Sequence, residues 1–310
     1  MKYLLILFLS TIIFSCSNDT NNNKELNNNA DKVTINLDDN TDNNNINKTE
    51  ELKTTDNEEN NSSINTNEKE ETTYYSYTDK EIISFIESGD LETIKKLIES
   101  KSLDVNYNLE IDEYSKSTPL IQAIKYKQTD IINYLLENNA DVNLKEELTG
   151  FTPLMASLNN IAIAELLIEK GADIEAKDDD GINALVYAST YNDEEMVKFL
   201  LEKGADANTV CEIENEHTDI ASTPLMNAAY RGNTNIINML LENGANINYT
   251  TDFGMTALMM AASFNQFEAA KLLLENNADT SITDEYGRTA LDLAKLEDYK
   301  DIVELLEKYN

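Results

Sequence analysis

A chain of 310 residues with 58 Asp and Glu against 24 Lys and Arg carries a net charge of −34 at pH 7. That balance opposes binding to nucleic acid or to anionic lipid surfaces, both of which recruit cations. One histidine and two cysteines are too few for a disulfide framework, and the length allows two domains, only part of it globular.

The chain opens with Lys2 and a nearly unbroken apolar run from Tyr3 to Phe14. Such a run is too short to span a bilayer as a helix and has the form of an export signal. Its end, Ile13-Phe14-Ser15-Cys16, is similar to a lipobox, in which the cysteine becomes the acylated first residue of a bacterial lipoprotein. That resemblance implies a signal over residues 1–15 and lipidation at Cys16. An uncleaved anchor and ordinary signal cleavage are the alternatives, and all three place the rest outside the cytoplasm. The expected location is the bacterial cell envelope, with secretion as the alternative.

Residues 16–77 read as a linker. Asn fills 18 of the 57 positions from Ser17 to Thr73, and aromatic residues are absent there. So little apolar surface cannot offset chain entropy, and disorder is expected. Tyr74, Tyr75 and Tyr77 mark the entry to a folded part placed at residues 78–310. Asp79–Glu87 and Leu91–Ser100 have the apolar spacing of a first helix pair with a charged outer side.

From there one pattern recurs. Leu225 has counterparts at Ile82, Leu120, Leu154, Leu185, Leu258 and Leu291, with steps of 38, 34, 31, 40, 33 and 33 residues. Thr118, Thr152 and Thr223 each begin Thr-Pro-Leu, Thr256 and Thr289 begin Thr-Ala-Leu, and Asn183 begins Asn-Ala-Leu. Thr suits the cap and Pro the first turn of a helix, where its missing N–H is not needed. A second apolar stripe follows, such as Ile236, Ile237, Leu240 and Leu241, and ends in Gly-Ala-Asp or Gly-Ala-Asn at Gly171, Gly204 and Gly244. Asn139 and Asn277 stand in that Gly position, Asn being the next-best residue for a left-handed helix end. A period near 33 with these signals resembles the ankyrin repeat. The resemblance covers Thr78 to Asn310 and implies an all-α solenoid of about seven helix-turn-helix units joined by β-turn or hairpin loops.

Departures from the pattern are informative. Where the family usually has a histidine bonding between neighbouring turns, this chain has Ile121, Met155, Val186, Met226, Met259 and Asp292. Order between units is therefore expected to rest more on apolar packing. The unit beginning at Thr152 is two residues short at Asn159-Asn160-Ile161, and two connections are long, Leu103 to Lys116 and Ala207 to Ala221. The second holds Cys211, His217, Glu212, Glu214, Glu216 and Asp219, whose spacing fits no zinc pattern and reads as a solvated acidic loop. Asp178-Asp179-Asp180-Gly181 lacks the alternation of a calcium loop and reads as a hairpin tip with an Asp-Gly turn.

No phosphate-binding glycine loop and no nucleophile motif occurs, so no enzyme, cofactor or metal is expected. Residues 79–310 hold 44 acids and 18 bases, a net of −26, which would steer a basic protein toward the folded part. The same charge would also serve solubility alone. The ankyrin resemblance implies a non-catalytic protein-binding module, a monomer, with partners lying across the hairpin tips and inner helices. Its variable inner-helix positions would form an aromatic ladder of Tyr126, Tyr191, Tyr230 and Phe264, with Arg231 beside it and Phe253, Tyr286 and Arg288 on the tips. Aromatics at helix ends also pack between repeats, and that alternative stays open. Glu146, Glu147, Asp178 to Asp180, Asp252, Asp284 and Glu285 would supply an acidic rim. An immunity protein covering a basic toxin, or a structural envelope scaffold without a tight partner, are the alternatives to general protein binding.

Overall fold

The computed structural model of the protein describes residues 75–113, 115–215 and 218–309. The export signal, Cys16, the linker as far as Tyr74, and Tyr114, Glu216, His217 and Asn310 lie outside the described residues. Fourteen helices and two small hairpins form among the described residues. The helices follow one another in pairs: α1 (Asp79–Ser88) and α2 (Leu91–Glu99), α3 (Pro119–Lys125) and α4 (Thr129–Glu137), α5 (Pro153–Ala156) and α6 (Ile161–Glu169). α7 (Ala184–Tyr191) and α8 (Glu194–Glu202), α9 (Pro224–Arg231) and α10 (Thr234–Glu242), α11 (Ala257–Ser263) and α12 (Phe267–Glu275), and α13 (Ala290–Leu296) and α14 (Lys300–Glu307) complete the series.

Each inner helix begins where its cap was expected. The side chains of Thr78, Thr118, Thr152, Asn183, Thr223, Thr256 and Thr289 accept from the backbone N–H three residues on. Losing such a cap costs about 1 kcal/mol. Helices this short are not stable alone in water, so burial between neighbours supplies what propensity cannot. Odd-numbered helices pack on one another as an inner layer, and α8, α10, α12 and α14 pack in succession as an outer one. Leu120, Leu185, Leu225 and Leu258 are buried between layers, as are Ile132, Leu200, Leu240 and Leu273. Asn139 and Asn277 adopt the left-handed conformation expected of them, with φ of 66° and 65°. The short unit is the exception: α5 has one turn, and α4 and α6 make at most a marginal contact.

Both long connections are β-hairpins. β1 (Leu109–Glu110) pairs with β2 (Lys116–Ser117). β3 (Cys211–Asn215) pairs antiparallel with β4 (Thr218–Ser222), Cys211 opposite Ser222 and Asn215 opposite Thr218. The stretch from Ala207 to Ala221 is therefore not a solvated loop. Its base is interior: Cys211 has no exposed surface, and burial pushes its thiol up to about 11.

Order between units has a polar part beside the apolar packing. Asn106 Oδ1 accepts from Asp141 N and Asn143 Oδ1 from Asp173 N, both at 2.8 Å, and Asn208 Oδ1 accepts from Asn246 N at 2.7 Å. The amides of Asn143 and Asn208 meanwhile donate to the carbonyls of Gly171 and Gly244 at 3.1 and 3.0 Å. Asn248 continues the series to Asp279 N, and Glu175 takes over one rung by accepting from Asp206 N. Each side chain thus ties its own unit to the next. A second device uses glutamine: Gln128 donates to Glu87 O at 2.7 Å and Gln266 to Tyr230 O at 2.9 Å. Gly89 and Gly232 make room for it, since a Cβ on either would strike that glutamine, and both hold φ near 75°.

Candidate protein-binding face

The inner helices pack side by side, so their ends form a row, and the hairpin tips precede their capped starts. Tyr126 caps α3 and is 37 % exposed; Tyr191 closes α7 and is 41 % exposed. Tyr230 and Phe264 are half-buried and meet edge to face, ring centroids 4.5 Å apart. Two ring clusters include members of the predicted ladder. In one, Phe151 sits edge-on to Tyr187 at 5.6 Å, and Tyr187 stacks parallel on Tyr191 at 6.1 Å. In the other, Tyr230 packs on Phe264 across the repeat boundary, the interlocking left open above. Arg231 belongs to the framework: its Nε donates to Thr190 O at 3.1 Å, and its guanidinium lies 5.4 Å from the Tyr230 ring centre.

The acidic rim divides the same way. Asp178 and Asp284 are buried, and Glu146 is bonded to Lys125 at 3.1 Å. Glu147 pairs with Lys116 at 3.4 Å across an exposed surface, where such a pair contributes little. Asp179, Asp180, Asp252 and Glu285 face solvent. Each buried aspartate closes its own hairpin. Asp178 Oδ1 accepts from Asp180 N at 3.0 Å and Ile182 N at 2.8 Å, and Gly181 N donates to Asp178 O at 3.1 Å. The turn is thus Asp178 to Gly181, with the glycine at its fourth place, and not a two-residue Asp-Gly turn. Asp284 accepts from Tyr286 N and Arg288 N in the same manner, each at 2.9 Å.

The two carboxylates differ in their third partner. Tyr187 Oη donates to Asp178 Oδ2 at 2.6 Å, a neutral partner, and burial leaves that carboxyl above its ordinary value. Burial acts on Asp284 too, but the Arg288 guanidinium bonded to Oδ2 through Nε and Nη2 holds its carboxyl below the ordinary range. Tyr187 was not among the expected site residues, yet it couples the buried Asp178 to the exposed Tyr191. Phe253 is half-buried on the preceding tip, where its carbonyl accepts from Glu285 N at 2.9 Å. Tyr286 stands out at 68 % exposed.

An open depression of about 770 Å³ lies between tips and is lined by Asn143, Lys145, Asp173, Glu175, Lys177 and Asp178. Its two cations are engaged on main-chain carbonyls, Lys145 on Lys177 O at 2.6 Å and Lys177 on Val210 O at 2.8 Å. No convergent set of His, Cys, Asp and Glu forms a metal site among the described residues, and no helix among them is long and apolar enough to cross a membrane.

Helix pairs capped by Thr-Pro-Leu and stitched through their turns define a class. The chain belongs to the ankyrin repeat family: the family description of ankyrin repeats in three copies matches residues 42–146, 82–178, 143–211 and 225–310, and a many-copy description matches 185–241. Repeats of this kind serve as protein–protein interaction modules and are in general non-catalytic scaffolds. The chain is 28 % identical over 166 residues to an ankyrin repeat protein of Acanthamoeba polyphaga mimivirus, covering 53 % of this chain and 21 % of that one. It is 32 % identical over 164 residues to an ankyrin repeat protein of fowlpox virus, covering 52 % of this chain and 46 % of the relative. A palmitoyltransferase of Lachancea kluyveri shares 30 % identity over 182 residues, 55 % of this chain and 23 % of the enzyme. The chain spans less than half the length of these curated relatives.

Proposed function

We propose that this protein is a non-catalytic binding module of seven ankyrin units, exported and held in a bacterial cell envelope by lipid on Cys16, with residues 16–77 as the tether. Its partner is a basic protein that docks along the hairpin tips and the ends of the inner helices. The observation carrying this reading is that one folded domain presents both solvent-facing carboxylates on its hairpin tips, at Asp179, Asp180, Asp252 and Glu285, and exposed rings, at Tyr286 on a tip and at Tyr126 and Tyr191 at the ends of inner helices. Acids steer a basic partner in, and aromatic anchors hold it once water is excluded. The domain's net charge supports the same polarity of partner.

Two experiments test the two halves. Cys16→Ala is expected to abolish fatty-acid labelling and release the protein from membranes; a wild-type protein that carries no label and fractionates as soluble overturns the anchor. For the module, in-cell crosslinking and mass spectrometry are expected to identify a basic envelope protein. Binding kinetics with that protein are then expected to show association slowed by salt and dissociation quickened by Tyr191→Ala. Unchanged kinetics in a folded Tyr126/Tyr191 double variant would remove the inner-helix rings from the site.

A further inference from the structure

Tyr286 combines exposure with rigidity. Its ring is 68 % exposed, yet its N–H donates to Asp284 Oδ1 at 2.9 Å, and the Arg288 guanidinium lies 4.7 Å from its centroid. Arg288 is itself fixed, because Nε and Nη2 donate to the buried Asp284 Oδ2 at 2.8 and 2.6 Å. Glu285 N bonds Phe253 O of the neighbouring tip at 2.9 Å, and the neighbouring Glu285 carboxylate pushes the Tyr286 phenol up. A ring held this way has little side-chain entropy left to lose on binding. Arg288, whose charge is met by Asp284, lies over the ring, which is otherwise largely exposed, and Glu285 next to it in the chain is exposed as well.

We propose that the Tyr286 tip is an arginine-reading site, in which an arginine of the partner stacks its guanidinium on the exposed ring and pairs with Glu285. The proposal rests on the basic-partner reading above and deepens it. A planar guanidinium fits between a ring face and a carboxylate, whereas a lysine ammonium forfeits the stacking and the two-pronged bond. A merely acidic edge would take either residue alike.

The test uses the purified full-length chain with fluorescein-labelled octa-arginine and octa-lysine peptides, read by anisotropy at about 0.15 M salt. Octa-arginine is expected to bind more tightly. Tyr286→Ala, which leaves the net charge unchanged, is expected to weaken octa-arginine roughly five- to twentyfold and octa-lysine less than about twofold. Tyr286→Phe is expected to retain most of the affinity. Tyr107→Ala, at a tyrosine 46 % exposed elsewhere, is expected to change nothing. If both peptides bind in a salt-dependent way and folded Tyr286→Ala is unaltered, the arginine site falls and the basic-partner reading stands. If neither peptide binds the wild-type chain, both fall.

Discussion

Ser-Thr-Pro-Leu occurs twice, at Ser117 and Ser222, each time at the end of a hairpin, and the two serines are expected to respond oppositely to truncation. Both are buried, at 0 % and 1 % exposure. Ser222 Oγ donates to Asn227 Oδ1 at 2.7 Å; Asn227 Nδ2 donates to Thr190 Oγ1 at 3.0 Å, and Thr190 passes the chain on to Val186 O at 2.8 Å. At the first site Gln122 stands where Asn227 does, one methylene longer, and neither Ser117 Oγ nor Gln122 Nε2 has a partner among the described residues. Ser222→Ala removes one bond of about 1 kcal/mol and strands part of a buried amide, so it should cost about 1–2 kcal/mol. Ser117→Ala removes a hydroxyl whose desolvation nothing offsets, so its effect should lie between about zero and 1 kcal/mol of stabilisation. Asn227→Ala loses two bonds and strands Ser222, for about 2–4 kcal/mol, and adding Ser222→Ala to it should cost under about 0.5 kcal/mol more. Urea unfolding followed by circular dichroism measures all four, with slopes compared because helix arrays can lose cooperativity. Equal costs for the two serines, or a Ser222 cost undiminished in the Asn227→Ala background, would refute the reasoning.

Three further outcomes follow from burial and charge. Asp178 and Asp284 should give pH profiles of opposite sign. Asp178 has a folded value above its unfolded one, so the folded state binds the extra proton and stability rises as pH falls through that raised value. Asp178→Asn should therefore add stability at neutral pH. Asp284 has a lowered folded value, so its contribution is present above the ordinary 3.8 and is lost as pH falls through the lowered value. Asp284→Asn should remove stability at neutral pH and flatten the acid limb of the difference curve against wild type. Leu240→Ala should cost about 2–5 kcal/mol in urea, because Leu240 has no exposed surface between α9, α10 and their neighbours; a loss under about 0.5 kcal/mol would mean the neighbours collapse without strain. Cys211 should resist iodoacetamide at neutral pH and react once the chain unfolds, as read by mass spectrometry, since the thiolate is the reactive form.

The helices were legible because their signals are local. A capping threonine and a proline in the first turn mark a start, and Asn139 or Gly244 marks an end, whatever the neighbours are. The β3–β4 hairpin was legible in part, since Cys211-Glu212-Ile213-Glu214 alternates with period two. Its acids drew the reading toward a loop, because charge signals exposure only for the face that bears it. The asparagine series hid in plain sight as Asp104-Val105-Asn106, Asp141-Val142-Asn143 and Asp206-Ala207-Asn208, in phase with the repeat. The aspartate of each bonds the N–H two residues on, which aims the asparagine at the next unit. The site was less legible. Whether Asp178 faces water or its own turn depends on hairpin curvature, and only the glycine three residues later hints at it. Tyr187 follows Leu185 in a helix and reads as core, so its coupling of Asp178 to Tyr191 needs three dimensions to be seen.

The unit with the one-turn helix has a mechanical meaning. Elsewhere each unit is braced against the next through both inner and outer helices. Between α4 and α6 the outer brace is nearly missing, and the inner one runs through the four residues of α5. A stack loaded from its ends bends first where its cross-section is thinnest. Thermal flexing should therefore concentrate at residues 152–160, making this coil the compliant joint of an otherwise stiff spring.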